Sequence, residues 1–288
     1  MGKYVSNKRA KRYGFLIFLL CVTCLAGAAY AYAKVHPQAL PNFAGQSAAG
    51  SRCTSLQSSA GRKDDKGERK NSSSKSEKNS SQVKSSSSEK IIDVPYISQE
   101  GSYSTGCELV SASMVLQYYG CHASVEDVVK NTPSSNLQQK GGKFYGDDPA
   151  KSFIGDPTSE SGFGCFAPVV VSVMNTFLSK SDKIAINITG NEFNSLIPYI
   201  QRGDPVIVWA TMRMLPPYQG NSWIINETGK TFVWPAREHC LVFVGYDKNK
   251  YYFNDPYKTS GLADYTKSIV EQRYNDLGKQ AVVVEDKF

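Results

Sequence analysis

Ten of the twenty residues from Asn71 to Lys90 are serine, and the whole stretch from about Ala44 to Lys90 is dominated by Ser, Lys, Gly, Asn and Gln. Such a segment cannot bury enough apolar surface to offset its ordering entropy, so residues 36–90 are expected to form a disordered, charged spacer. Any folded domain must then be built from residues 91–288. The chain carries a net charge of +7, but it divides unevenly at Lys90. Residues 1–90 hold 16 Lys/Arg against 5 Asp/Glu, and residues 91–288 hold 17 against 21. A domain with a net charge of −4 lacks the cationic footprint that nucleic-acid binding requires. With 41% apolar residues the chain has material for one core and too little for a polytopic membrane protein. No internal period points to a repeat array.

Residues 1–35 form the third segment. Lys3, Lys8, Arg9, Lys11 and Arg12 precede an uncharged run from Gly14 to Ala33. Twenty residues of helix span roughly 30 Å, about one hydrocarbon core. Positive charge ahead of such a run holds the N-terminus in the cytoplasm and sends the remainder outward. Small residues at Ala29, Ala31 and Ala33 also offer a cleavage site, so a removable signal peptide and a retained single-pass anchor both fit. A buried core helix is the bland alternative. Leu20 and Thr23, just before Cys21 and Cys24, are not the small residues expected at a lipid-attachment site.

Within 91–288, Ile91 to Ile97 reads as an edge strand or extended arm, because it is apolar and contains Pro95. Helical patterning runs from Cys107 to Tyr119, with Gly120 as its stop. Ser124 and Asp127 make a capping box for a second helix to about Asn131, and Thr189 with Glu192 suggests another for a helix reaching Arg202. Residues 132–164, rich in Gly, Asp, Ser and Pro, read as irregular. Ala167 to Leu178 is a further helix, and a strand is expected from Ile184 to Ile188. Strand signals then accumulate at 205–214, 222–225, 231–234, 240–246, 251–254 and 281–285, with a helix near 264–275. Helices first and antiparallel strands afterwards predict an α+β fold.

The candidate chemistry rests on few residues. Of three histidines, His36 sits beside the export segment, leaving His122 and His239. Cys107 follows Gly106 at the first turn of a predicted helix, where free N–H groups and the helix dipole favour a thiolate. His239 lies 132 residues later at the mouth of an apolar strand, and Asp255 another 16 residues on, at the end of the next strand. The order Cys, His, Asp fits the nucleophile, base and orienter of a cysteine hydrolase. The Cys to His spacing falls in the roughly 130–150 residue range of papain-type enzymes. Each residue has a plainer reading. Cys107 could be a small buried hydrophobe or half a disulfide, His239 a core histidine, and Asp255 the opener of a turn with Pro256. His122 follows Cys121 in an expected solvent-facing turn. Cys121, Cys165 and Cys240 offer three pairings in an oxidising compartment, or none. No Cys or His pair has zinc spacing, and Asp147, Asp148 and Asp156 read as polar loop.

The strings VPYISQEGSYSTGCELVSASMVLQYYG, REHCLVFVGYD and YYFNDPY together resemble the papain-like bacterial cysteine peptidases related to the bacteriocin double-glycine leader peptidases, in particular their secreted stand-alone members. The resemblance spans residues 92–288. It implies a papain-like fold with a helical N-terminal part packed on an antiparallel sheet. It also implies Cys107 as nucleophile, His239 as base, Asp255 as orienter and Gln99 as the oxyanion-hole side chain. Leader peptidases work at the cytoplasmic front of an export transporter, which this chain lacks, so their substrate does not carry over. The expected protein is an extracytoplasmic cysteine peptidase acting on a peptide or protein, or an acyl transferase or cell-wall amidase of the same design. An inert cell-wall-binding module is the non-enzymatic alternative. The reading calls for no cofactor, no metal and no nucleic acid, for membrane contact through the N-terminal segment alone, and for a monomer.

Overall fold

The computed structural model of this protein describes residues 89–258 and 261–288. The expected anchor and all but the last two residues of the expected spacer lie outside the described residues. Among the described residues no helix is long and apolar enough to cross a membrane.

The chain enters through a two-residue strand, β1 (Lys90–Ile91); the rest of the expected 91–97 strand is irregular, although the Ile92 N–H still donates to Val244 O at 2.7 Å. Pro95 supplies no N–H, which limits pairing there. Helix α1 (Cys107–Tyr118) follows; its first ten residues are all buried, seven of them apolar and three, Glu108, Ser111 and Ser113, polar. Gly106 sits just ahead of it because a Cβ there would meet the Tyr103 and Pro157 Cβ atoms at 3.1 and 3.2 Å. Helix α2 (Val125–Asn131) carries the Ser124–Asp127 capping box, with both reciprocal hydrogen bonds formed.

Residues 132–164 are less irregular than their composition suggests. They hold β2 (Ser134–Ser135), β3 (Gln138–Lys140), β4 (Lys143–Gly146) and β5 (Phe153–Ile154). These are followed by α3 (Ala167–Leu178) and β6 (Lys183–Asn187). The Thr189–Glu192 capping pair does not form: residues 193–196 make a 3-10 turn with no side-chain cap, leading into the short α4 (Ile197–Arg202). The Thr189 hydroxyl instead accepts the Ala281 N–H at 3.3 Å.

The remaining elements are β7 (Val206–Thr211), a 3-10 turn (Met212–Met214), β8 (Tyr218–Ile225), β9 (Thr231–Ala236), β10 (Glu238–Tyr246) and β11 (Lys250–Asn254). Then come β12 (Leu262–Thr266), α5 (Lys267–Asp276) and β13 (Ala281–Asp286). The main sheet runs β12-β11-β10-β7-β13-β6, with β1 beside β10, and all its pairings are antiparallel. A second sheet, β3-β4-β8-β9, has its own apolar cluster around Ile154, Trp223 and Trp234.

The architecture is α+β, with α1 packed on β10 of the main sheet and on α2 and α3. Every residue of β10 is buried, because α1 covers it and β7 and β11 flank it. Antiparallel pairing of β10 with β11 sets the start of β10 beside the end of β11. That juxtaposition puts His239 next to Asp255.

Candidate active site

The imidazole of His239 and the carboxylate of Asp255 are both buried and meet at 2.7 Å, Nε2 to Oδ1. The Tyr257 N–H donates to the same oxygen at 3.0 Å, so the carboxylate is held from two sides. Burial alone would push the Asp255 carboxyl up, but its hydrogen bond to His239, the charge of His239 and the Tyr257 N–H hold it below the ordinary carboxylate range. With Nε2 engaged by Asp255, Nδ1 is the nitrogen left to a reaction partner.

Cys107 opens α1 and is buried. Its sulfur accepts the Cys240 N–H at 3.4 Å, and its thiol donates to Glu108 Oε2 at 3.4 Å. The residue after His239 on β10 therefore touches the sulfur through its backbone. The side chain of Cys107 is hydrogen-bonded to Glu108 and Cys240, not to His239. A helix start is expected to lower the thiol's pKa; the structure reverses that. Burial pushes the thiol well up, and the carboxyls of Glu108 and Glu238 add to the rise.

Those two glutamates have no role in the reading from sequence. Glu108 is fully buried; its Oε1 accepts the Cys165 N–H at 2.6 Å, pinning the segment after Gly164 to the first turn of α1. Gly164 has φ +154°, and a Cβ there would lie 2.2 Å from Glu108 Oε1. Burial raises the Glu108 carboxyl to about 7, against the lowering hydrogen bond from Cys165. Glu238 is raised well above the ordinary range, by burial first and by Glu108 second. The signal that could have found both is plain: each is a lone acid in an apolar run, directly beside a candidate catalytic residue, in Cys107-Glu108-Leu109-Val110 and Glu238-His239-Cys240-Leu241.

Gln99 is buried. Its Nε2 donates to Ser104 O at 3.1 Å, and its backbone N–H to Pro256 O at 2.9 Å. These bonds stitch the Gln99 segment to the Asp255-Pro256 turn and to the turn leading into Cys107, without a hydrogen bond to Cys107 or His239. Its Oε1 is buried without a hydrogen-bond partner. His122 is exposed, as expected. Cys121 is disulfide-bonded, whereas Cys165 and Cys240 are free, so none of the three pairings among them exists.

A cysteine at the first turn of a buried helix, laid against an antiparallel sheet that carries a His–Asp pair at adjacent strand ends, has the α+β layout of a papain-like peptidase. The chain belongs to the Peptidase_C39 like family, whose model matches residues 91–282. Among solved structures it is similar to one described as a C39-like peptidase of Bacillus anthracis, at 26% identity and a TM-score of 0.62, over 69% of this chain and 99% of that one. A double glycine motif protease from an AMS/PCAT transporter, solved with the leader peptide, matches at 16% identity and a TM-score of 0.37, over 68% of this chain and 91% of that one; a likeness this low carries no argument. Comparison with curated proteins gives no match.

Proposed function

We propose that this protein is a cysteine peptidase that works outside the cytoplasm, held there by its N-terminal segment, and cleaves peptide bonds through a Cys107 thioester. The observation that carries the reading is the buried His239–Asp255 pair at 2.7 Å on the strand whose next residue donates its N–H to the Cys107 sulfur. In this mechanism Asp255 fixes the imidazole with Nδ1 toward the thiol. His239 takes the thiol proton as the sulfur attacks the substrate carbonyl, then gives it to the leaving amine; water, deprotonated by His239, releases the acyl group. The Cys107 N–H and the Gln99 amide supply the oxyanion donors. Because burial and the glutamates keep the resting thiol protonated, thiolate formation is coupled to substrate binding.

The test is cleavage of a proteome-derived peptide library, read by mass spectrometry as new termini. New termini that appear with the wild-type chain and vanish with Cys107→Ala support the reading. Identical products, or none, from the two chains contradict it.

A further inference from the structure

We infer that Cys107, Glu108 and Glu238 form a binding site for a thiophilic divalent cation, zinc being the one that this donor set fits, and that its occupancy masks the Cys107 sulfur. The Cys107 Sγ and one carboxylate oxygen from each glutamate lie within 4.8 Å of one another, and all three residues are buried. The 3.4 Å separation of Sγ from Glu108 Oε2 is close to the edge of a zinc tetrahedron, about 3.6 Å for bonds of roughly 2.3 Å to sulfur and 2.1 Å to oxygen. One sulfur with two oxygens suits zinc, whereas magnesium and calcium take six or more oxygens.

A second observation points to a ligand. Glu238 is only 8% exposed, and its Oε1 is buried with no hydrogen-bond partner. Buried polar atoms are normally satisfied, and the exceptions call for a missing partner. The rest of the site is already held. Glu108 Oε1 is fixed by the Cys165 N–H, leaving Oε2 for the cation, and the sulfur is held by the Cys240 N–H at 3.4 Å. Glu238 is fixed by its place on β10, opposite Thr211 of β7. Sequence spacing does not reveal the site because two ligands are adjacent and the third is 130 residues away, brought in by the packing of α1 on β10. Binding replaces the thiol proton, and any proton held by the two carboxyls, with bonds from the cation to sulfur and oxygen, the displaced protons leaving to solvent. The cation site stands without the peptidase reading; only its role as a reversible brake rests on that reading.

Titration of the full chain with cobalt(II), followed by thiolate-to-cobalt charge-transfer absorbance, tests the site. The expected result is a band saturating at one equivalent in the difference between wild type and Cys107→Ala. Glu238→Gln should weaken binding about tenfold or more, and His239→Ala should leave it unchanged. No band, or a band that survives Glu238→Gln but is lost in His239→Ala, overturns the proposal, the latter in favour of a cysteine–histidine site. Should Glu238→Gln fail to fold, wild-type chain alkylated at Cys107 and His239→Ala decide the matter in the same way. A second arm adds zinc and then a chelator to the peptide-cleavage assay, with reversible inhibition expected. A cobalt band in a chain that cleaves nothing removes the peptidase and keeps the site, whereas cleavage without a band does the opposite.

Discussion

Replacing Glu108 with Gln should make the domain's stability less dependent on pH, in a direction fixed by the buried carboxyl. In the native chain this group titrates at about 7 instead of the ordinary 4.5. Between those values the folded state holds a proton that the unfolded chain has lost, so stability falls as pH rises through the window. A shift of that size corresponds to a penalty on the order of 3 kcal/mol above pH 7, absent below about pH 4.5. Gln carries no charge, yet its carbonyl oxygen can still accept the Cys165 N–H that Glu108 Oε1 now holds at 2.6 Å. Glu238 loses a like-charged neighbour, which acts in the same direction. For a domain of this size, each kcal/mol moves the melting temperature roughly 2–4 °C, so the melting temperature of Glu108→Gln relative to wild type should climb by about 6–12 °C between pH 4.5 and pH 8. Thermal melts of both chains in chelator, at half-unit pH steps, measure this. A gap that stays flat with pH, or that turns against Gln at high pH, would refute the electrostatic account of the buried pair.

Three further outcomes are expected. Asp255→Ala strips the buried acceptor from His239 Nε2 and the Tyr257 N–H, at a cost of about 2–4 kcal/mol above pH 5. Since the folded Asp255 pKa is lowered, the stabilisation is present above pH ~4 and fades as pH falls through the folded value, so the gap in melting temperature to wild type should shrink on acidification; a constant gap would assign the loss to packing. Gly164→Ala pushes a Cβ against Glu108 Oε1, so the Cys165 N–H should exchange with deuterium faster than in wild type, and unchanged protection would show that the segment adapts. A protease added to intact cells should degrade the domain if the basic cluster and apolar run export it, and full protection would place it in the cytoplasm.

Local chemistry makes several elements legible in the amino-acid sequence. Gly106 followed by apolar residues at helical spacing marks α1, and the Ser124–Asp127 box opens α2 as read. The Thr189–Glu192 pair has the same spacing and the same kind of groups but fails, because a long-range partner, the Ala281 N–H of β13, takes the Thr189 hydroxyl. β12 escapes notice because its residues alternate between exposed and buried with few apolar side chains to show it. The second sheet is only half legible: β8 and β9 carry aromatic strand signals, but β3 and β4 are mostly exposed and polar, and their place in the sheet is set by the long-range parallel pairing of β4 with β8. The candidate site divides in the same way. Cys107, His239 and Asp255 stand out by type and order, while the Glu108–Glu238 contact is a product of tertiary packing. The thiol's electrostatics follow that packing and not the helix start: two buried acids and full desolvation outweigh a dipole whose contribution is about 1 kcal/mol.

The proposed peptidase mechanism stands or falls on Cys107 as nucleophile and His239 as the group that activates it. Reaction of the chelator-treated full chain with a peptide-based electrophile near neutral pH, followed by mass mapping of the modified cysteine, tests it most directly. Modification is expected at Cys107 ahead of every other cysteine, slowed by about tenfold or more in His239→Ala and absent in Cys107→Ala. Modification elsewhere, or at Cys107 with the same rate in His239→Ala, would contradict it.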